Sequence, residues 1–290
     1  MITEGLHDMS NDEYHADIEW LSSSVLKHQL PEHYKTGGSQ EALDFGTLFH
    51  AVVLEPDKLD GYTVLDAHEI AGNNPRTGKP YDAPQMTSKF KAAVAEAAEA
   101  GRIVVAREDW DRAHAMRQAV LDHADAKALL IDGEGHYEES AFATDISGAK
   151  VKARFDRRIP GAIVDLKSTA AKPGASSLAR AVIDYGYDLS AAHYLEVARL
   201  LGLDADTFWF VFVGKEAPHR VTVASLDEAF LLRGRVLRDR AIDRLLDDDA
   251  APYEGADAPL TLTAPGWAHL YPTTTAGIPA DFAWSIDDYS

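Results

Sequence analysis

The sequence predicts an α/β fold with a central mixed sheet flanked by helices, and three observations carry that expectation. From His136 to Ser168 the chain reads HYEESAFATDISGAKVKARFDRRIPGAIVDLKS, three strand-like segments over about 136–143, 149–159 and 162–168, with Pro160-Gly161 closing a hairpin. From Thr207 to Val213 the run TFWFVFV is apolar and aromatic throughout, the pattern of a strand covered on both faces. Segments of helical composition lie on either side of these strands, and helices packed on a sheet are the stable way to bury both.

Taken in order, residues 1–20 are polar apart from Tyr14 and Trp20 and read as an extended lead-in. Ser22 or Ser23 is placed to cap a short helix running to about Gln29 before Pro31. Leu43 to Leu54 is apolar on nearly every side, which predicts a buried helix containing His50. A short strand at Tyr62–Leu65 precedes the Gly/Asn/Pro-rich loop 71–84. The Ala/Glu-rich run 87–100, a strand at 102–105 and a helix over 108–123 predict a helical lobe (87–131) beside the sheet. Beyond the three central strands come helices at 176–183 and about 185–201, the latter closed by Gly202. The strand 207–213 is expected to pair with 219–223, and a long arginine-bearing helix fills 225–246. Residues 247–290 turn acidic and rich in Pro, Thr and aromatics, an irregular tail expected to lie on the body through Trp267 and Tyr271. No repeat or linker divides the chain, so one domain is expected over 1–290: a lead-in to residue 43, a core over 44–246 and the tail.

Strand parity then assigns faces. Val151, Ala153 and Phe155 share one face of the second strand, and Lys152, Arg154, Asp156 and Arg158 the other. On the third, Ala162, Val164 and Leu166 oppose Ile163, Asp165 and Lys167. Packing the apolar sets together would bring Asp156, Asp165 and Lys167 onto a common polar face, with Glu138 joining from the first strand. Carboxylates so close together repel, and they either hold protons or bind a cation. Hard oxygen donors suit Mg²⁺ or Mn²⁺. Such an ion activates a water for attack on phosphorus, and a lysine two residues beyond an aspartate can orient that water or neutralise developing charge.

These residues resemble the PD-(D/E)XK nuclease core, and more narrowly the exonuclease VIII (RecE-type) branch used in phage recombination. The resemblance rests on Phe155-Asp156-Arg157-Arg158 and Val164-Asp165-Leu166-Lys167-Ser168. Before them come Tyr14-His15-Ala16-Asp17, Leu21-Ser22-Ser23-Ser24, Gly46-Thr47-Leu48-Phe49-His50, Leu54-Glu55-Pro56 and Gly135-His136-Tyr137-Glu138, and after them Pro265-Gly266-Trp267. It implies that His50, Glu138, Asp156 and Asp165 hold the metal, with the Leu166 carbonyl a further ligand, and that Lys167 is the catalytic lysine. A Q-x-x-x-Y pattern follows the lysine strand in that family. Here Ser190 stands at the glutamine position and Tyr194 at the tyrosine, so only Tyr194 is carried over. The resemblance also implies 5′→3′ digestion of linear double-stranded DNA from its ends, a single-strand annealing protein as partner, and a homo-oligomer, specifically a tetrameric ring.

Composition sets the bounds. The chain has 290 residues, a formal net charge of −19 and no cysteine, which excludes disulfides, cysteine zinc sites and iron–sulfur clusters. No apolar run is long enough to span a membrane, and the acidic, polar start is unlike a secretory signal, so a cytoplasmic location is expected. Between Lys150 and Lys172, seven basic residues surround only Asp156 and Asp165. That contrast with the acidic whole predicts a local DNA contact through Lys152, Arg154, Arg157, Arg158 and Lys172. Two other classes of function compete with a DNA nuclease: a non-catalytic DNA-end or annealing-partner binding module of the same fold, and a metal-dependent hydrolase of small phosphate esters.

Overall fold

The computed structural model describes residues 2–30, 33–35 and 39–247. The expected tail, with Trp267, Tyr271 and the Pro265-Gly266-Trp267 motif, lies outside them. In chain order the elements are β1 (Gly5–His7), α1 (Asn11–Ala16), α2 (Ser23–His28), α3 (Gln40–Leu54), β2 (Tyr62–Leu65), α4 (Ala67–Ala71), α5 (Ser88–Glu99), β3 (Ile103–Ala106), α6 (Arg107–Asp122) and α7 (Ala124–Leu130). The second half adds β4 (His136–Thr144), β5 (Lys150–Ile159), β6 (Gly161–Thr169), α8 (Ala175–Asp184), α9 (Tyr187–Leu200), β7 (Ala205–Gly214), β8 (Val221–Ser225) and α10 (Glu228–Leu246).

A six-stranded sheet of order β1-β4-β5-β6-β7-β8 is antiparallel throughout except where β6 and β7 run parallel. That pair is joined through α8 and α9, as a parallel crossover requires. Parallel β2 and β3 form a separate two-stranded sheet beside α5 and α6. The β5–β6 hairpin turns at Pro160-Gly161, where Gly161 has φ +77°, a conformation that costs glycine little.

Both faces of the main sheet are covered. On one, Val151, Ala153, Phe155, Ile163, Phe208, Phe210 and Phe212 pack against residues of α2, α8, α9 and α10. On the other, Val164, Leu166, Val211 and Val213 pack against α3, α6 and α7. Alternation along β7 sends its phenylalanines into one core and its valines into the other, which is why the sequence shows no polar face there.

This arrangement corrects the expected facing of the central strands. Val164 and Leu166 do not join Val151, Ala153 and Phe155; Ile163 does. Ladder pairing between β5 and β6 is confined to the turn end, Arg157↔Val164 through Ile159↔Ala162. Farther along, the Asp156 carboxylate accepts the Leu166 N–H at 2.7 Å. A side chain thus takes up a backbone donor exposed where the ladder opens.

The extended lead-in is also corrected. β1 pairs antiparallel with β4, Leu21 bridges to Val151, and α1 opens on a capping box between Ser10 and Glu13. Tyr14 and Trp20 clamp Phe142 in a small aromatic cluster, both rings meeting it edge-on.

Candidate metal centre

Three elements deliver the site. α3 is held in the second core by Phe45, Leu48, Phe49 and Val52, and this burial fixes the direction of His50. The His50 ring donates through Nε2 to Leu166 O at 2.8 Å, leaving Nδ1 3.7 Å from Glu138 Oε1 and 3.6 Å from Asp156 Oδ2. A ring nitrogen committed to a backbone carbonyl, with its partner aimed at carboxylates, is the arrangement found around metal-ligating histidines. β4 supplies Glu138, which has φ +49°, an uncommon conformation for a residue with a side chain, opposite the point where β5 and β6 part. Its other oxygen accepts from Arg154 Nε at 2.8 Å.

Donor atoms of His50, Glu138 and Asp156 all lie within 4.8 Å of one another. Imidazole nitrogen and carboxylate oxygen suit a divalent cation, so the residues present fit the group that the sequence led us to expect. Asp165 stands outside this trio. Its Oδ2 lies 2.5 Å from Lys167 Nζ, and it is close enough to Asp156 to disfavour that carboxylate's ionisation. Lys167 also lies 5.7 Å from the centre of the Tyr187 ring.

The electrostatics are those of a buried charge cluster. Burial pushes Asp156 up to about 7, with Asp165 and Glu138 adding to the shift and His50 opposing it. For His50, burial works against the charged ring, but Asp156 and Glu138 outweigh it and raise the group to about 9. Burial likewise opposes the charged form of Lys167, yet Asp165 and Asp156 hold it above the usual lysine range. Lys167 is therefore an ammonium, a donor of hydrogen bonds rather than a base. Tyr194 packs edge-on against Phe155 at 5.8 Å, and burial together with Asp165 and Asp156 holds its phenol above the ordinary range. Ser190 is turned to its own helix, its Oγ donating to Gly186 O at 3.3 Å.

The predicted basic surface is not there. Lys152 is 3% exposed and donates to the carbonyls of Tyr14 and Asp17. Arg154, 8% exposed, is shared among Glu138, Ser140 and Met9 O. Arg157 is wholly buried and donates to the carbonyls of Leu129, Asp132 and Gly133, while Arg158 pairs with Glu139. Of the five expected DNA contacts only Lys172 is exposed. Parity did not gather these cations on one face: Arg158 pairs opposite Ile163, on the side of the first core, and the N-terminal segment and the 129–133 turn take up donors of Lys152, Arg154 and Arg157.

Lys27 went unnoticed in the sequence. It projects from α2 toward the same charges: burial and the neighbouring Lys167 lower it to about 8, with Asp165 and Asp188 pulling the other way. Gly186 makes room for it, since a Cβ there would sit 2.6 Å from Lys27 Cδ and 2.9 Å from Tyr34 Cδ1. The one available signal was its place one turn beyond Leu21-Ser22-Ser23-Ser24.

Among solved structures the fold is similar to a candidate exonuclease from Eubacterium rectale, with TM-score 0.52 and 17% identity over 88% of this chain and 97% of that one. The structure of SSO0001 is more distant, with TM-score 0.28 and 15% identity over 78% of this chain and 86% of that one. No curated protein matches the sequence. A family model described as a PDDEXK-like domain of unknown function (DUF3799) matches residues 22–247. With most of its length matched and its carboxylates, histidine and lysine gathered where β5 and β6 part, the chain belongs to that PDDEXK-like family.

Proposed function

We propose that the protein is a metal-dependent exodeoxyribonuclease that hydrolyses phosphodiester bonds of linear double-stranded DNA from its ends. The single observation that carries the chemistry is the convergence of His50, Glu138 and Asp156 beside the Asp165–Lys167 pair. His50, Glu138, Asp156 and Asp165 would hold Mg²⁺ or Mn²⁺, while the Leu166 carbonyl, expected as a further ligand, instead accepts from His50 Nε2, the ring nitrogen directed away from the carboxylates. A bound divalent cation supplies Lewis-acid charge to the phosphate and lowers the pKa of a coordinated water. Lys167, kept charged by Asp165, donates hydrogen bonds to the attacking water or to the oxygens that gain charge as water adds to phosphorus and the ester P–O bond breaks. Tyr194 walls the site from α9. The continuous run of site residues from His50 to Tyr194 supports a single nuclease domain.

The resemblance to the exonuclease VIII branch supports a role in phage recombination, 5′→3′ polarity, a tetrameric ring and delivery of single strands to an annealing protein. A second reading, a DNA-end or annealing-partner binding module without catalysis, is favoured by one observation: Ser190 stands where the family carries glutamine, and its hydroxyl donates to Gly186 O of its own helix.

One experiment separates the two. Linear and covalently closed circular duplex DNA are incubated with protein, each with Mg²⁺ and with EDTA, alongside Asp165→Ala. Loss of linear DNA alone, only with metal and only with Asp165 present, is the expected result. Survival of both substrates with wild-type protein, while DNA binding persists, would replace the nuclease by the binding module.

A further inference from the structure

Beyond Lys167 lies a feature that hydrolysis does not use. β6 continues to Thr169, whose carbonyl accepts the Lys215 N–H at 2.9 Å where β7 ends. Beside this junction is a cleft of about 210 Å³ with Leu178 and Phe212 in its lining and Lys172, Lys215 and Arg220 around it. Lys172 and Arg220 are exposed, Lys215 is half-buried with its ammonium 5.4 Å from the centre of the Phe45 ring, and none of the three has an ion-pair partner among the described residues. They differ in this from the cations of β5, which are spent on internal acceptors. The cleft adjoins the metal centre: the Phe212 ring is 6.2 Å from that of Tyr187, against which Lys167 Nζ lies at 5.7 Å. Only Ser168 separates Lys167 from Thr169, and the two-residue step spans about 7 Å. On a chain of net charge −19, three cations against the single carboxylate of Glu216 in the lining leave this cleft locally positive.

We propose that this cleft takes the sugar–phosphate backbone of the strand being cut, one or two nucleotides from the scissile bond, with Lys172, Lys215 and Arg220 as its phosphate contacts. The inference rests on the nuclease reading above and names where the substrate strand runs.

The test is binding without cleavage. Fluorescence anisotropy of a labelled single-stranded oligonucleotide and of its duplex, in EDTA, gives the dependence of log K on log salt. Each phosphate contact contributes about 0.7 to the slope for a single strand and about 0.9 for a duplex. The Lys172→Ala/Lys215→Ala/Arg220→Ala variant is expected to lose about 2 from that slope, and Lys172→Ala/Arg220→Ala, which alters only exposed side chains, somewhat less. Exchanging lysine for arginine and arginine for lysine at the three positions should restore it. Lys89→Ala/Lys91→Ala, exposed on α5, should leave it unchanged. An unchanged slope in both alanine variants overturns the proposal, as does wild-type protein that binds neither DNA. Loss of slope in a protein that never cleaves would sink the nuclease reading and leave the backbone track standing; cleavage with an unchanged slope would do the reverse.

Discussion

His50 can offer Nδ1 to a cation only after surrendering a proton. In the metal-free protein, burial opposes the imidazolium, but Asp156 and Glu138 raise it to about 9, so the ring is charged at neutral pH. Asp156, pushed up to about 7, is partly protonated there as well. Metal ligands must be deprotonated, so binding should release protons, and affinity should rise as pH rises from 6.5 toward 9. We expect between one and two protons released per ion at about pH 6.5, falling to about one near pH 8. Calorimetry of Mn²⁺ binding in two buffers of different ionisation enthalpy measures that number. His50→Gln should remove the part that survives at pH 8. A wild-type count near zero at pH 8 would exclude His50 from the ligand set.

At the scale of elements, the site depends on the β5–β6 opening and on helices pressed closely against the sheet. α9, which carries Tyr194 and Ser190, is packed against α10 at Gly234, where an added Cβ would lie 2.2 Å from Asp188 O and 3.0 Å from Ala192 Cβ. Asp188 is itself buried and paired with Arg233. In an isolated helix Gly→Ala stabilises by about 1 kcal/mol. Here the backbone of α9 blocks the methyl, and overpacking should cost about 1–3 kcal/mol net, a fall in Tm of about 2–12 °C at this size. Thermal unfolding of Gly234→Ala checks the value, and an unchanged or higher Tm would show that the helices part freely.

The same scale shows what the sequence made legible. Strands β4 to β6, the buried helix around His50 and the two-sided β7 were readable, because a period of two or an unbroken apolar run is written directly in the residue order. β1 was not, since three residues paired at a sheet edge carry no period. Nor could parity reveal what covers a face. Arg157 was read as a DNA contact, but it lies under the 129–133 turn because nearby carbonyls accept its donors. Facing of β5 against β6 failed for a related reason: Asp156 replaces a ladder acceptor for Leu166, an event of tertiary geometry that spacing does not encode.

For the molecule as a whole, the site is a joint between its two cores. His50 comes from the helix packed on one face of the sheet and Tyr194 from the helix packed on the other, with the carboxylates between them. Without metal that joint is costly. The folded-state value of Asp156 lies above its unfolded one, so its contribution to stability is complete below the ordinary aspartate range and is lost as pH rises through about 7. At pH 8 in EDTA, Asp156→Asn should therefore melt higher than wild type, because it removes a disfavoured charge while its side-chain oxygen can still accept the Leu166 N–H. Divalent cation should reverse that order. An ion at a hundred times its Kd stabilises the folded state by about 2.7 kcal/mol, a rise of about 5–11 °C in wild-type Tm, whereas the asparagine variant, short of one anionic ligand, should gain much less. Thermal melts of both proteins in EDTA, Mg²⁺ and Mn²⁺ measure the crossing. If wild type does not respond to either ion, or the variant responds equally, Asp156 is not a metal ligand and its buried charge needs a different explanation.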